Sequence, residues 1–447
     1  MINPAIFREY DIRGIAETDM TDDNVYAFGR GFGTYYRKQG QKKVIIGQDV
    51  RLSSPRIAHT LFRGLNESGC TVIDIGTVPT PVLYFALFHF NIGNGIMITA
   101  SHNPKEFNGF KVCLNKTTIF GQEIQNIMKI IEAGKYESGT GTVESHDITQ
   151  AYIDCITDRV RIKRGIKVCV DTGNGACGPL VERIMDKIGA DCTILYKTPD
   201  GNFPNHLPDP TVIDHIKVLI ETVRDGDYEC GIGFDGDGDR IGVLDESGNI
   251  IWGDVLLAMY AEEVLKKMPG AKVIFEVKCS KGLIERISAL GGQPIMYKTG
   301  HSLIKAKMKA EGSPLAGEMS GHIFFADRYY GYDDAMYAGL RLLEIVSAGK
   351  PVSTLAARVP SYFSTPEIRL ETSDDMKFDI VDKLRKEFKK SYMVIDIDGV
   401  RVDFSDGWGL IRPSNTQPVL VLRFEAKTEA RLAEIKNLFF DTLKKYT

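Results

Sequence analysis

A serine on a predicted turn is the first residue in the chain that could carry covalent chemistry. Ser101 lies within Thr99–Pro104, directly after the apolar segment Gly95–Ile98, which is predicted to be a strand. A hydroxyl at the mouth of such a strand faces the edge of an α/β sheet where ligands bind. A serine ester also divides one difficult phosphoryl transfer into two easier steps. Taken alone, the segment more often indicates an exposed turn whose serine caps backbone amides.

Three aspartates alternate with two glycines further along the chain. Asp235, Asp237 and Asp239 lie between Cys230–Phe234 and Ile241–Leu244, both of which are predicted strands. Three carboxylates within five positions repel one another strongly unless a cation is bound. Glycines allow the backbone to wrap so that alternate side chains converge. Oxygen ligands of this kind suit Mg²⁺ or Ca²⁺.

The acidic loop also has the spacing of a calcium-binding loop. Asp235, Asp237, Asp239 and Glu246 match EF-hand positions one, three, five and twelve. However, Arg240 replaces the glycine required at position six, and the flanking segments read as strands rather than helices. A solvated acidic turn without metal is a second alternative. The favoured interpretation is a Mg²⁺ site with an open position for a phosphoryl oxygen, which Arg240 could also engage.

Two further loops carry groups suited to sugar and phosphate. In Gly317–His322, a carboxylate at Glu318 can accept bonds from two neighbouring sugar hydroxyls, and Ser320 can donate or accept. In Arg412–Pro418, a guanidinium is followed by short polar donors, and successive amides in such a turn can form an anion-binding nest. Each loop alone is also compatible with an ordinary polar turn.

Three more segments concentrate cationic and aromatic groups. They are Phe7–Gly14, Asn108–Lys111 and Lys298–Ser302. Structural salt bridges would account for any one of them. The candidate side chains that they contribute are Arg8, Tyr10, Arg13, Lys111, Lys298 and His301.

A strand–helix–strand arrangement that recurs three times must position these loops. Short apolar runs alternating with helical patterns indicate β-α-β units and largely parallel sheets. Each predicted copy consists of a strand, a helix and a second strand, in that order. The first copy is Val44–Gln48, Ile57–Glu67 and Thr71–Ile75, and the second is Val168–Asp171, Leu180–Ile188 and Cys192–Tyr196. The third is Val273–Glu276, Gly282–Leu290 and Pro294–Tyr297.

The pattern changes after about Val359. Met393–Val402 and Val419–Glu425 are predicted strands, and Arg431–Tyr446 has helical spacing, which together indicate a smaller α+β domain. A chain of 447 residues is too long for one core, so several domains are expected. The predicted domains are residues 1–142, 143–248, 249–358 and 359–447.

Composition excludes several classes of function. The chain has 55 Lys plus Arg against 59 Asp plus Glu, so no basic excess points to nucleic acid or an anionic membrane. No apolar stretch reaches the roughly 18–20 residues of a membrane span, and the N-terminus lacks the features of a signal peptide. Eight cysteines without a C-x-x-C pair indicate buried free thiols in a reducing compartment. We therefore expect a cytoplasmic protein.

The joint pattern of the four loops is more specific than any one of them. Their order along the chain resembles the α-D-phosphohexomutase superfamily. Lys298–Ser302 together with Gly317–His322 looks most like the phosphomannomutase/phosphoglucomutase branch. The resemblance implies an α/β protein with four domains around a central cleft: three related α/β domains with mixed, largely parallel sheets, and a smaller C-terminal α+β domain.

The resemblance also implies roles for individual residues. Ser101 is expected to be phosphorylated and, with Asp235, Asp237 and Asp239, to hold one Mg²⁺ per chain. A hexose 1,6-bisphosphate is the expected intermediate and activator. The expected sugar-binding residues are Glu318, Ser320, Lys298 and His301, and the expected phosphate-binding residues are Arg412, Ser414, Asn415, Thr416, Arg8 and Tyr10.

The resulting hypothesis is a mutase that interconverts hexose 1-phosphate and hexose 6-phosphate, with mannose, glucose or both as the sugar. The general base stays open. The group of candidate catalytic residues is Ser101, Lys111, Arg13, His102, Arg240, His301 and His322. Alternatives are a phosphoglucosamine or phosphopentose mutase, or a sugar-phosphate-binding scaffold without activity. The expected partner is a small phosphosugar, and the oligomeric state, monomer or homodimer, is left open.

Overall fold

The chain folds into two compact units. The computed structural model describes residues 2–415 and 417–446. One unit comprises Met1–Gly253 with Ser320–Thr354, and the other comprises Asp254–Met319 with Leu355–Thr447.

The first sheet has seven strands and is mixed. Strand β4 runs parallel to β2, which runs parallel to β3, whereas β5 is antiparallel to both β4 and β1. The strand order is β1-β5-β4-β2-β3-β7, with β6 paired to β5. The elements are β1 (Ile12–Ile15), α1 (Asp22–Lys38), β2 (Lys43–Gln48), α2 (Ser54–Glu67), β3 (Thr71–Thr77), α3 (Thr80–His89), β4 (Gly95–Ile98), β5 (Phe107–Leu114), β6 (Thr117–Thr118), α4 (Gln122–Ala133) and β7 (Val143–Ser145).

The second sheet has five strands in the order β12-β11-β10-β8-β9. Strand β8 runs parallel to both β9 and β10, and β10 forms an antiparallel hairpin with β11. The acidic loop is the turn of that hairpin. The elements are α5 (Thr149–Thr157), β8 (Lys167–Asp171), α6 (Gly178–Ile188), β9 (Asp191–Leu195), α7 (Lys217–Asp225), β10 (Cys230–Phe234), β11 (Ile241–Leu244) and β12 (Ile250–Ile251).

The third β-α-β unit opens the second compact unit. Strand β13 pairs in parallel with both β14 and β15. The elements are α8 (Gly253–Lys267), β13 (Lys272–Glu276), α9 (Lys281–Ala289), β14 (Gln293–Tyr297), α10 (His301–Glu311) and β15 (Leu315–Gly317). The chain then returns to the first unit with β16 (Ile323–Phe325) and α11 (Ala335–Val346), which α12 (Val352–Ala356) follows.

The C-terminal sheet is antiparallel throughout its described pairings. Its order is β17-β22-β21-β20-β19, with β18 also on β22. Helices α13 and α14 pack on it through one apolar cluster that includes Leu384 and Phe439. The elements are β17 (Phe363–Ser364), β18 (Ile368–Glu371), α13 (Asp374–Phe388), β19 (Val394–Ile395), β20 (Val400–Phe404), β21 (Gly407–Pro413), β22 (Val419–Ala426) and α14 (Glu429–Leu443).

The predicted fold class is confirmed, and one predicted strand is wrong. Met393–Val402 is not continuous: β19 and β20 form a hairpin whose turn contains Gly399 at φ +90°. A Cβ at that glycine would lie 2.4 Å from the carbonyl oxygen of Ile411, so both the backbone conformation and the close approach require glycine. The apolar pattern continues through the reversal, because residues on both strands of the hairpin face the same core. The pattern therefore gives no sign of the turn.

Candidate active site

Ser101 occupies a buried turn with strained backbone geometry. Its φ is +51°, a left-handed conformation that few non-glycine residues adopt, and its side chain is almost fully buried. The Ser101 hydroxyl donates to Oδ2 of Asp235 at 2.6 Å, across 134 positions of sequence. Its backbone amide donates to Oγ1 of Thr99 at 2.9 Å. The turn after β4 therefore presents the hydroxyl directly to the acidic loop.

The acidic loop is held by its own backbone and by α3. Oδ1 of Asp235 accepts from the amides of Asp239 and Arg240, at 3.0 and 3.1 Å. Thr80, at the start of α3, donates through its amide to the Asp237 carbonyl and through its hydroxyl to Oδ2 of Asp237 at 2.6 Å. These bonds fix the direction of the Asp235 and Asp237 carboxylates.

Lys111 enters the acidic loop from β5 of the first sheet. Its ammonium donates to Oδ2 of Asp237 at 2.6 Å and also forms an ion pair with Asp239. Burial alone would lower the pKa of Lys111, but the charges of Asp237, Asp239 and Asp235 outweigh burial and raise it. Lys111 is therefore a permanent cation in this arrangement.

The three aspartates fit a hard divalent cation. Their carboxylate oxygens lie within 4.8 Å of one another, and all three side chains are buried. Among the described residues, the buried Oδ1 atoms of Asp237 and Asp239 have no hydrogen-bond partner. Burial first, and then the charges of Asp239 and Asp237, raise the pKa of Asp235 well above its usual range. Oriented, desolvated carboxylate oxygens are the donors that Mg²⁺ prefers.

Arg13 and His102 lie beside the Ser101 turn. Nη1 of Arg13 donates to Oδ1 of Asn103 at 2.6 Å, and its Nη2 pairs with Asp11 at 2.5 Å. Nδ1 of His102 lies 3.1 Å from the Ser101 hydroxyl oxygen. Burial first, and then the charges of nearby arginines, lower the pKa of His102 well below its usual value, so this imidazole is neutral.

Arg240 and His322 meet beside the acidic loop. Nε of Arg240 donates to Nε2 of His322 at 3.0 Å, so the lone pair of that ring nitrogen is already engaged. Nδ1 of His322 lies 3.0 Å from a carboxylate oxygen of Asp333, which is fully buried. Asp239, His322 and Asp333 also bring ligand atoms within 4.8 Å of one another.

In the second unit, Glu318 lies at the end of β15 and is buried. Its Oε1 accepts from the amide of Gly300 at 2.7 Å, which ties the loop after β14 to the loop after β15. His301 begins α10, with its Nδ1 3.3 Å from Nζ of Lys305. Lys298 is exposed directly after β14. The structure therefore places Lys298 and His301 after β14 and Glu318 after β15, the two strands that flank β13 in the same sheet.

The predicted phosphate loop follows β21. Arg412 is buried and its Nε pairs with Asp398 at 3.0 Å, and Oγ of Ser414 accepts from the amide of Gln417 at 3.2 Å. Asn415 is half-buried. Thr416 lies outside the described residues.

The structure separates the other predicted residues between the two units. Arg8 and Tyr10 lie before β1, and Ser320 lies before β16, so all three belong to the first unit. Ser101, His102, Lys111, Arg13, Arg240 and His322 also belong to the first unit, whereas Glu318, Lys298, His301 and the Arg412 loop belong to the second.

Sequence reasoning missed two buried groups beside Glu318 and Arg412. Glu276 ends β13, and its Oε2 accepts from the hydroxyl of Thr299 at 3.0 Å and from the amide of Lys278. Lys278 is buried, with its ammonium 3.1 Å from Glu367. Burial would lower the pKa of Lys278, but Glu367 and Glu276 raise it. The only feature of the sequence that could have pointed to Glu276 and Lys278 was their position at the end of a predicted strand that is otherwise apolar.

Four family models match consecutive parts of the chain. They are described as phosphoglucomutase/phosphomannomutase alpha/beta/alpha domain I at residues 4–138, domain II at 150–248, domain III at 252–362, and the C-terminal domain at 367–442. Together they account for all of the loops described above.

Individual relatives agree with the family models. A phosphomannomutase/phosphoglucomutase from Pseudomonas aeruginosa is 45% identical over 442 residues, which cover 98% of this chain and 96% of that protein. A phosphoglucomutase from Neisseria gonorrhoeae is 44% identical over 439 residues, covering 97% and 95%. The crystal structure of a phosphoglucomutase/phosphomannomutase family protein from Burkholderia thailandensis superposes with a TM-score of 0.94 at 42% identity, covering 100% and 98%.

The site is that of a phosphoryl-transfer protein of the phosphohexomutase type, with a serine beside a carboxylate cluster. The chain belongs to the phosphoglucomutase/phosphomannomutase family. Within the described part of the chain, every helix is too short or too polar to cross a bilayer.

Proposed function

We propose that this chain is an enzyme that interconverts hexose 1-phosphate and hexose 6-phosphate, with mannose, glucose or both as the sugar. The observation that carries the proposal is the 2.6 Å hydrogen bond from the Ser101 hydroxyl to Asp235, at the edge of the buried aspartate cluster. The names of the full-length relatives favour this activity over a phosphoglucosamine or phosphopentose mutase and over an inactive scaffold. Ser101 is the phosphoryl carrier.

We assign one Mg²⁺ per chain to Asp235, Asp237 and Asp239, together with the phosphoryl group on Ser101. When bound, the ion would offset the negative charge of the transferring phosphoryl oxygens. The buried Oδ1 atoms of Asp237 and Asp239 support the assignment. Lys111, Arg13 and Arg240 add fixed positive charge around the same serine, which is the main way proteins accelerate phosphoryl transfer.

The reaction consists of two successive phosphoryl transfers. In the first, the Oγ–P bond of phospho-Ser101 breaks, a bond forms from phosphorus to the free hydroxyl of the hexose monophosphate, and a general base takes the hydroxyl proton. The product is a hexose 1,6-bisphosphate. It turns around, and its other phosphate returns to the Ser101 oxygen, while the sugar oxygen regains a proton. The bisphosphate is thus both intermediate and activator.

The charges of the candidate residues reduce the number that could act as the general base. Lys111 stays protonated between two carboxylates, and arginine is not deprotonated in proteins. Both Lys111 and Arg13 are therefore charge-stabilising groups. Neutral His102 contacts the carrier oxygen and orients it. His301 stays as the candidate for proton transfer to and from the sugar, because the accepting nitrogen of His322 is already engaged by Arg240.

We assign Glu318, Ser320, Lys298 and His301 to the sugar hydroxyls. For the phosphate that does not react, we assign a second set: Arg412, Ser414, Asn415, Thr416, Arg8 and Tyr10. The domain division proposed for these loops is 1–142, 143–248, 249–358 and 359–447. The free cysteines support a cytoplasmic location, because thiols stay unpaired in a reducing compartment.

Replacement of the carrier serine tests the proposal. Ser101→Ala is expected to abolish turnover of glucose 1-phosphate and mannose 1-phosphate and to lose the added phosphoryl mass, with an unchanged melting temperature. Ser391→Ala, at an exposed serine after α13, is the matched control and should stay fully active. Full turnover by Ser101→Ala would contradict the covalent role.

A comparison of kcat/KM values for different sugar phosphates identifies the preferred sugar. Mannose, glucose, glucosamine and ribose phosphates should be compared under saturating Mg²⁺ and bisphosphate. Mannose and glucose phosphates are expected to be turned over at least roughly tenfold more efficiently than the other two, because a site built on hydroxyl contacts loses bonds when those groups change. A preference for glucosamine or ribose phosphate would overturn the proposed substrate class.

A further inference from the structure

Arg51 is a buried arginine that belongs to none of the sequence motifs. It follows β2 and precedes α2, and only 1% of its surface is exposed. A guanidinium has five N–H donors in one plane. All five are used: Nε donates to Asp49, and each terminal nitrogen donates to two backbone carbonyls.

Three of the four carbonyls belong to the loop that carries Ser101, and the fourth belongs to Phe107, the first residue of β5. Nη2 donates to the oxygens of Ser101 at 2.8 Å and Asn103 at 2.6 Å, and Nη1 donates to those of Pro104 at 2.6 Å and Phe107 at 2.9 Å. One planar group thus spans the whole turn from the carrier serine to the start of β5. None of these five hydrogen bonds goes to the Ser101 hydroxyl or to the aspartate cluster.

Arg51 is itself held by Asp49 and packs against Phe203. Asp49 accepts from the Arg51 amide and from its Nε, and also from the hydroxyl of Ser54 at 2.7 Å. The ring centre of Phe203, from the second sheet's loops, lies 5.4 Å from the guanidinium carbon. Burial lowers the pKa of Arg51, Asp49 opposes this, and the group stays a cation.

The four hydrogen bonds from Arg51 to backbone carbonyls act as a clamp on the Ser101 turn. The conformation of Ser101 explains why the turn needs this clamp. A non-glycine residue at φ +51° is strained and persists only where the surroundings hold it. The backbone carbonyl and amide of Ser101 can be held by Arg51 and Thr99 while the side chain stays available to the phosphoryl group. A Cβ on Gly236 would lie 2.7 Å from that same carbonyl oxygen, so the acidic loop also packs directly on it.

We propose that Arg51 is a positioning residue for phosphoryl transfer, holding the Ser101 turn in its left-handed conformation so that the carrier oxygen faces the aspartate cluster. This inference rests on the proposed function of Ser101. It assigns Arg51 no contact with substrate. A lysine at this position has three donors on a single nitrogen and cannot bridge four carbonyls spread along the turn.

The test compares Arg51→Lys with Arg56→Lys. Arg56 lies on α2, is partly exposed and donates to backbone carbonyls of Ala16 and Met20, so it is a matched arginine outside the loop. We expect Arg51→Lys to lower kcat about 100-fold with KM within about threefold of wild type, since small misplacement of a reacting atom has that effect. The fraction of Ser101 phosphorylated by hexose 1,6-bisphosphate, read by intact mass, should fall. Arg56→Lys should match wild type in all three measurements.

A second variant covers the case in which Arg51→Lys does not fold. Asp49→Asn keeps the size of the side chain and loses the charge that orients Nε of Arg51. It should lower kcat roughly tenfold at unchanged KM. Wild-type kcat in folded Arg51→Lys, or in Asp49→Asn if the first variant is unfolded, would overturn the positioning role. A wild-type protein that shows neither turnover nor phosphoserine would instead overturn the proposed function itself.

Discussion

Lys111 belongs to the first sheet, but its ammonium lies among the carboxylates of the acidic loop, which belongs to the second sheet. Its ammonium reaches Asp237 and Asp239, which lie 126 and 128 positions further along the chain. Each of the three side chains is almost fully buried. Removing one partner of a buried ion pair leaves the other charge uncompensated, which is far more costly than the net value of the pair.

Lys111→Met is therefore expected to lower the free energy of unfolding by about 3–5 kcal/mol in metal-free protein. Mg²⁺ should restore much of that loss, because a bound cation replaces the missing charge in the same carboxylate cluster. Urea unfolding in EDTA and in Mg²⁺ measures both quantities. Lys105→Met, at an exposed lysine of the Ser101 loop, is the control and should change neither. Equal destabilisation of Lys111→Met with and without Mg²⁺ would contradict the shared-charge argument.

At the scale of elements, strands β1 and β5 bring Arg13 to the Ser101 turn. Gly109 on β5 is paired with Arg13 on β1, and its carbonyl accepts from the amide of Thr99 at 3.0 Å. A Cβ at Gly109 would lie 2.1 Å from the backbone oxygen of Ile12. The close approach of the two strands therefore depends on this glycine.

Gly109→Ala is expected to destabilise the protein by about 1–3 kcal/mol, the usual cost of forcing extra atoms into a packed interior. It should also lower kcat, because the displaced strand β1 carries Arg13 and the Gly109 carbonyl accepts from the Thr99 amide in the serine turn. The control is Gly165→Ala, where an added Cβ meets no atom within 4 Å. Urea unfolding and steady-state assays check both variants, and a stable, fully active Gly109→Ala protein would contradict the proposed strand geometry.

At the scale of the whole molecule, the two compact units divide the predicted site residues between them. The carrier serine, the aspartate cluster and Ser320 belong to one unit, and Glu318 with the Arg412 loop belongs to the other. The eight cysteines are distributed over both units and none is paired. Six are buried, as the sequence predicted, but Cys155 and Cys192 are only half-buried.

The thiols provide a test of the whole fold. We expect all eight to react with a thiol reagent after unfolding without reductant, and no more than Cys155 and Cys192 to react readily in the native protein. Even these two should react slowly, because burial raises the pKa of Cys192 to about 12 and also raises that of Cys155. Replacement of Cys192 by serine should remove one of the slow reactions. Fewer than eight thiols in the unfolded protein would reveal a disulfide.

The amino-acid sequence by itself determined the recurring β-α-β units and the chemical types in each loop. Strand and helix patterns are local, so Lys43–Gln48, Lys167–Asp171 and Lys272–Glu276 appear within a residue or two of their predicted bounds. The alternation of Asp235, Asp237 and Asp239 likewise favoured a bound cation before the fold was known, because the repulsion arises within one turn.

Only the tertiary structure decided which of these groups meet. The bond from Ser101 to Asp235 and the clamp of Arg51 on the serine turn join residues that are 134 and about 50 positions apart. No periodicity encodes such contacts, since they follow from how sheets and helices pack. Arg51 was invisible in the sequence because its partners are backbone carbonyls, which every residue has. The break at Gly399 was missed for a related reason: a tight reversal is set by local φ and by the approach of Ile411 from the next strand.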